Sequence, residues 1–348
     1  VKGNHIKLGT ERVWMHKSII NVDFQTESVL SNNPWLFVEL WLQRKGHKEA
    51  LPFWRQAHRF AEASSHLSVE AAPLTLYYSF LNATKALLKV RGAPHADVHG
   101  VSGNRPESAK SSLENETVFF KAGGVLPALC LYLGESATEH RYSLKTLLWN
   151  LPFVHRAFLH TYTSMPDLFI PLESACYVHK QNSSEAWFQA TVVNRYADGG
   201  KLSNLPASLE WFEGDDGFTY IRRIKRFRWY TGRVDSEGKK KALDRLQNYH
   251  STTRRVIVPI SGNRDLWYVR RANSQNTLSG RHPLSIMFAT MHRLSELARY
   301  DPKGLQSHLD GKANWLLAEF IEHAPIQFLD QIASEITGLR FWRPAVRT

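Results

Sequence analysis

Twelve lysines and arginines fall between positions 222 and 255: Arg222, Arg223, Lys225, Arg226, Arg228, Arg233, Lys239, Lys240, Lys241, Arg245, Arg254 and Arg255. Only Asp235, Glu237 and Asp244 oppose them, a surplus of nine in a chain whose formal net charge is +12. Crowded like charges repel and oppose compaction, so this density points to an anionic partner. Nucleic acid, RNA or DNA, fits the residue types: cations neutralise phosphates and release counterions, while the interleaved Tyr220, Phe227, Trp229 and Tyr230 offer faces for stacking on bases. Gln247 and Asn248 are the segment's only side-chain amides. Backbone binding with little sequence preference is therefore expected. Two other readings compete: a strand or hairpin with a solvated basic face, and a patch that docks an acidic protein surface.

Composition excludes several classes. At 348 residues, 43% hydrophobic and 22% charged, the chain can bury a sizeable core and is long enough for about two domains or one large composite domain. Its longest apolar runs, near 125–133 and 146–151, fall well short of the ~20 residues of a membrane helix. The opening Val1-Lys2-Gly3-Asn4-His5 has no apolar signal core, so secretion is not expected. Cys130 and Cys176 form no CxxC pair and read as buried thiols of a reducing compartment. No HExxH or Cys/His zinc spacing, GxxxxGK[ST], GxGxxG or GxSxG occurs, so neither a metal nor a cofactor is expected.

The elements that must carry these residues are legible in the periodicity. Asn33-Pro34 with Trp35, Leu36, Val38, Leu40, Trp41 and Leu42 predicts a capped helix closed by Gly46. A second is expected over 52–67, and a third over 73–90, whose near-continuous apolar character implies burial on most sides. Residues 95–116, rich in Gly, Ser, Asn and Pro, read as a loop. From about 165 the pattern changes to short β-branched and aromatic runs at 168–170, 175–179, 187–193, 209–212, 218–224, 255–260 and 266–269. A hairpin turn lies at 213–217. The basic stretch would then cross two strands and a polar connection at 235–248. On such a strand Arg226 and Arg228 share one face, Phe227 and Trp229 the other. Helical period returns at 282–300, 314–323 and 325–336. The fold class expected is α+β: an N-terminal helical part (1–164) and C-terminal helices (273–348) form one bundle, with a mostly antiparallel, basic β region (165–272) inserted between them.

The ordered set Pro73-Leu74, Tyr77-Tyr78, Leu81-Asn82, Lys85-Ala86-Leu87 and His99-Gly100, followed much later by His282-Pro283-Leu284-Ser285, Leu294-Ser295 and Ala298-Arg299-Tyr300 with Pro302, resembles the YaaC-like family over roughly 35–340. The resemblance implies a bacterial, cytoplasmic protein of a defence or stress module, with protein partners in a multi-component system. A more distant resemblance, to HEPN helical bundles, implies a metal-independent ribonuclease and leaves room for a homodimer. There Arg91, His95, His99 and Lys85 would be catalytic: a histidine moves the 2′-hydroxyl proton while Arg or Lys stabilises the phosphorane. The spacing departs from that pattern, with three residues between Arg91 and His95 and seven between Arg91 and His99. Asn82 and Lys85 share a helix face and could point together toward the 95–99 loop, or simply hold it. Arg299 and Tyr300 are support candidates that could equally satisfy a helix end. His155 and His160 read as core or interface histidines.

Overall fold

The computed structural model describes residues 3–26, 28–230, 235–262, 265–272 and 280–342. In chain order, four short strands open it: β1 (Asn4–His5), β2 (Lys7–Leu8), β3 (Glu11–Arg12) and β4 (Val29–Leu30). Helices α1 (Pro34–Arg44), α2 (Leu51–Ser64) and α3 (Ala72–Val90) follow, then strands β5 (Val101–Asn104) and β6 (Thr117–Phe120), helix α4 (Val125–Tyr132) and strand β7 (His140–Ser143). Short helices α5 (Leu144–Trp149) and α6 (His155–Thr161) lead to strands β8 (Phe169–His179), β9 (Glu185–Val192), β10 (Leu209–Glu213), β11 (Thr219–Arg223) and β12 (Phe227–Arg228). Helix α7 (Ser236–Thr253), strands β13 (Ile257–Ile260) and β14 (Leu266–Arg270), helices α8 (Pro283–Tyr300), α9 (Pro302–Leu309) and α10 (Asn314–Thr337), and strand β15 (Phe341–Trp342) complete it. The class is α+β.

The first and last helices share one core. Asn33 caps α1 by accepting from the Leu36 N–H, with Pro34 at the first turn, where its missing N–H costs nothing. In α3 the Phe80 ring stacks on Phe328 of α10 at 3.9 Å, and Tyr77 meets Phe288 of α8 edge-on at 5.6 Å. Helix α10 is continuous where two helices were expected. Pro325 removes one intrahelical bond, but Phe320, Ile321 and Ala324 before it and Phe328 and Leu329 after it lie in the same core, so both flanks stay pinned. Gly338 ends α10 at φ +79, and a Cβ there would meet Asn21 Nδ2 at 2.9 Å; both facts require glycine.

Strands β10-β11-β9-β8-β14-β13 pair in that order, with β1 joining β8 and β12 joining β9, every pair antiparallel. A bulge between Glu173 and Cys176, with Ser174 at φ +52, bends β8. The bulge lies between the part of β8 that pairs with β14 and the part that pairs with β1. A second core covers this sheet, built from Tyr177, Phe188, Ile221, Trp229 and neighbours.

Three expectations are corrected. Residues 236–253 form the 18-residue helix α7, not a polar connection. Ala242, Leu246, Tyr249 and Thr253 recur at helical spacing and are buried, while Asp235 caps the first turn by accepting from the Gly238 N–H. The 95–116 segment includes β5, which pairs with β6 and through it β7 in a separate antiparallel sheet. The described residues from 3 to 30 hold short strands and turns, not helix. Strand β1 pairs with β8, β2 with β3, and β4 runs parallel to β15. Within this N-terminal stretch Lys17 is fully buried, its ammonium 2.5 Å from Asp330, 3.0 Å from Asp265 and 2.7 Å from the Phe341 carbonyl.

Candidate functional site

The basic stretch divides by what its cations touch. Arg222 and Glu210 face each other across the β10–β11 ladder and pair at 2.8 Å. Arg223 is buried over the Tyr249 ring, its Nη1 donating to the Tyr249 carbonyl at 3.0 Å and to the Thr252 and Thr253 hydroxyls at 2.7 and 3.0 Å. It closes the C-terminal end of α7, where the helix leaves carbonyls unsatisfied. Arg226 lies over Trp187, 3.4 Å from Glu185 and 3.5 Å from Glu210. Arg254 is fully buried over Trp267 and donates to the carbonyls of Ile257 and Lys17. Burial pushes its pKa down to about 10, so it stays charged near neutrality. Arg222, Arg223, Arg226 and Arg254, expected on the nucleic-acid face, are therefore engaged within the protein.

The remainder face solvent. Lys225, Arg228, Lys239, Lys240, Lys241, Arg245 and Arg255 are exposed. Lys241 pairs with Glu237 at 2.6 Å, and the Arg245 Nε donates to the Arg228 carbonyl at 2.9 Å, which brings α7 beside β12. Arg233 lies outside the described residues. The aromatics turn inward: Trp229 and Tyr220 are buried, Phe227 packs on Tyr249 at 4.5 Å, and Tyr230 is half-buried against Trp229 at 4.8 Å. Gln247 is spent on the Val22 N–H and the Ile19 carbonyl.

The catalytic candidates do not form one group. Arg91 donates to the carbonyls of Glu335 and Ile336 at 2.5 and 2.6 Å, closing the end of α10. His95 bonds the Ala93 carbonyl at 3.2 Å. Asn82, buried, donates back to the Tyr78 carbonyl of its own helix at 2.8 Å. Lys85 pairs with Asp97 at 3.2 Å and lies over Phe53. Arg299 and Tyr300 stack on each other at the exposed end of α8.

His99 has different neighbours. Its half-buried ring stands 5.4 Å from Tyr77 and 6.0 Å from His292. Burial lowers its pKa, the Lys85 and Lys121 ammonium groups lower it further, and Glu296 partly opposes them. Lys85 and His99 are thus electrical neighbours. His292 is pushed to about 3 by burial first, then by His99, Arg293 and Lys121. The Tyr77 hydroxyl is buried without a hydrogen-bond partner, and burial raises its pKa.

Beside this site lies a buried charge network absent from the sequence reading. Glu116, fully buried, accepts from Arg293 at 2.7 Å, Arg105 at 2.8 Å and the His308 ring at 2.9 Å. Burial alone would raise its pKa, but the bonds from His308 and Arg293 hold it below the usual carboxylate value. Glu296 links the network to the backbone by accepting from the Gly103 N–H at 3.1 Å and from Arg293 at 3.0 Å. These partners lie as many as 193 positions apart, so no local pattern marks them. The i,i+4 pair His292 and Glu296 was the available signal. Among the described residues no group of three or more His, Cys, Asp or Glu is placed to hold a metal ion, and no helix is long and apolar enough to cross a membrane.

A family model described as YaaC-like Protein matches residues 24–336. The chain belongs to the YaaC-like family. No curated protein and no solved structure matches it.

Proposed function

We propose that this member of the YaaC-like family binds the phosphate backbone of RNA or DNA along α7 and the adjoining end of β12, as the recognition component of a bacterial defence or stress module in the cytoplasm. One observation carries the binding reading. Lys225, Arg228, Lys239, Lys240 and Arg255 are exposed, and none pairs with a carboxylate among the described residues. An unneutralised group of cations costs self-repulsion that a polyanion relieves. With the aromatics in the core and Gln247 engaged, the surface offers phosphate contacts and little that reads bases. The defence or stress module rests only on what the family resemblance implies.

Anisotropy titrations of labelled RNA and DNA over a range of salt test the reading. The triple variant Lys225→Glu, Arg228→Glu, Lys239→Glu should weaken binding equally for unrelated sequences and reduce the log–log salt slope by about three. Unchanged affinity would redirect the patch to an acidic protein partner.

A second reading, metal-independent RNA cleavage, is favoured by His99. Its lowered pKa leaves it neutral near pH 7, ready to accept the 2′-hydroxyl proton as that oxygen attacks phosphorus and the 5′-oxygen departs with a proton from water. Lys85 and Lys121 would stabilise the phosphorane; Arg91 and His95 take no part. Cleavage that persists with a chelator and disappears in His99→Ala is the expected result, and cleavage retained by His99→Ala would end this reading.

A further inference from the structure

A cavity of about 460 Å³ opens between α6 and the sheet, within the ~300–1,000 Å³ usual for small-molecule sites. Phe153, Phe169, Tyr196 and Tyr268 give it aromatic surface, and Arg156 and Arg195 bring two guanidinium groups to it. Phe169 meets Tyr268 edge-on at 6.3 Å, which holds the half-buried Tyr268 ring in place. The two arginines come from separate elements, α6 and the 3-10 turn Asn194–Tyr196. Both influence the same phenol: burial raises the Tyr268 pKa, while Arg156 and Arg195 pull it back.

Neither arginine pairs with a carboxylate among the described residues. Arg195 lies only over the Tyr196 ring, at 5.1 Å. The one acid in the wall, Asp167, is already occupied, 3.0 Å from His155 Nε2 and accepting the Phe169 N–H at 3.1 Å. The His155 Nε2 lies 3.0 Å from the Leu168 N–H as well, so it serves the carboxylate or that N–H according to its tautomer, and its buried Nδ1 has no partner. The cavity therefore combines two unneutralised cations with aromatic faces. A bare anion would use only the cations, and an apolar ligand would leave them uncompensated.

We infer that this cavity binds a mononucleotide, the phosphate held between Arg156 and Arg195 and the base against Tyr268 and its aromatic neighbours. Stacking gives tolerance among bases, and guanidinium forks suit the phosphate. The site is independent of the basic surface on α7: it takes a free small molecule, not a strand.

Calorimetric titration of the full chain with AMP, UMP, adenosine and inorganic phosphate tests it. Both mononucleotides should bind, with adenosine and phosphate each weaker by at least about tenfold. Arg156→Gln and Arg195→Gln alter exposed side chains, so the fold should survive, and each should weaken AMP by about tenfold. Tyr268→Phe, which keeps the ring, should retain affinity. Three results would overturn the inference: no mononucleotide binding, AMP affinity unchanged in both arginine variants, or phosphate binding as tightly as AMP. A 5′-phosphorylated oligonucleotide that displaces AMP would also overturn it, by assigning the cavity to a strand end.

Discussion

The strand half and the helix half of the basic stretch are both rich in cations and differ in how many of them the protein itself engages. On β11 and just beyond it, Arg222 and Arg226 meet Glu210 and Glu185, and Arg223 closes the end of α7. On α7, Lys239 and Lys240 face water with no carboxylate partner among the described residues. Strands place alternate side chains against neighbouring strands, where opposite charges can be built in. The outer face of a helix meets only solvent and its own neighbours one turn away. Charge density along a sequence therefore overstates the available surface charge where the chain is woven into a sheet, and reports it faithfully on an outer helix.

The greatest loss falls at Arg254. Arg254→Ala should destabilise the protein by ~3–5 kcal/mol in urea unfolding, because it empties a fully buried site and strands the Lys17 and Ile257 carbonyls. Arg223→Ala should cost ~2 kcal/mol, the scale of charge-assisted hydrogen bonds, and should raise hydrogen exchange at the end of α7 ahead of the rest.

Acid sharpens the contrast between interior and surface. His16, His250, His282 and His292 all have pKa values lowered first by burial, His250 and His292 to about 3. The folded state thus binds fewer protons than the unfolded chain below about pH 6.5. Stability, complete above that pH, should fall by ~1.4 kcal/mol per pH unit for His250 and for His292 down toward pH 3, with His16 and His282 acting in the same direction. Urea midpoints measured from pH 7 to 4 check this, and a flat profile would contradict the neutral, buried assignment.

Smaller effects belong to the exposed cations of both halves. The triple reversal at Lys225, Arg228 and Lys239 should leave stability within ~0.5 kcal/mol of the parent while changing the salt slope of binding. Lys241→Ala, which removes one exposed i,i+4 pair, should cost only ~0.3–0.5 kcal/mol.

The helices α1, α2, α3 and α8 were legible because an apolar stripe repeats over ten or more residues. Helix α7 was not: its buried positions are few among lysines and polar residues, and only Asp235 and the 242, 246, 249, 253 spacing betrayed it. Strands β1 to β4, two residues each, are too short to carry any period. At the candidate site, the proximity of Lys85 to His99 follows from a helix and a short return. The participation of His292, Glu296 and Glu116 depends on tertiary packing between segments nearly two hundred positions apart, which no local pattern encodes. Arg91 shows the reverse error, since a residue placed beside histidines in the sequence spends its charge on the far end of α10.

Lys17 has a consequence for biosynthesis. Its ammonium is satisfied by Asp330 and by the Phe341 carbonyl, 313 and 324 positions downstream. At about 5–20 residues per second, a ribosome needs roughly 15–60 s to deliver them. Throughout that interval the strap that later joins the sheet to the bundle has one wall of its socket missing, and a lysine destined for the interior stays in water. The β region can pair its hairpins as they emerge, but the interior around Lys17 closes only when α10 arrives. Helix α10 is thus the latch for a segment made about three hundred residues before it, and a nascent chain stalled between the two would present that segment to whatever chaperone or protease is nearest.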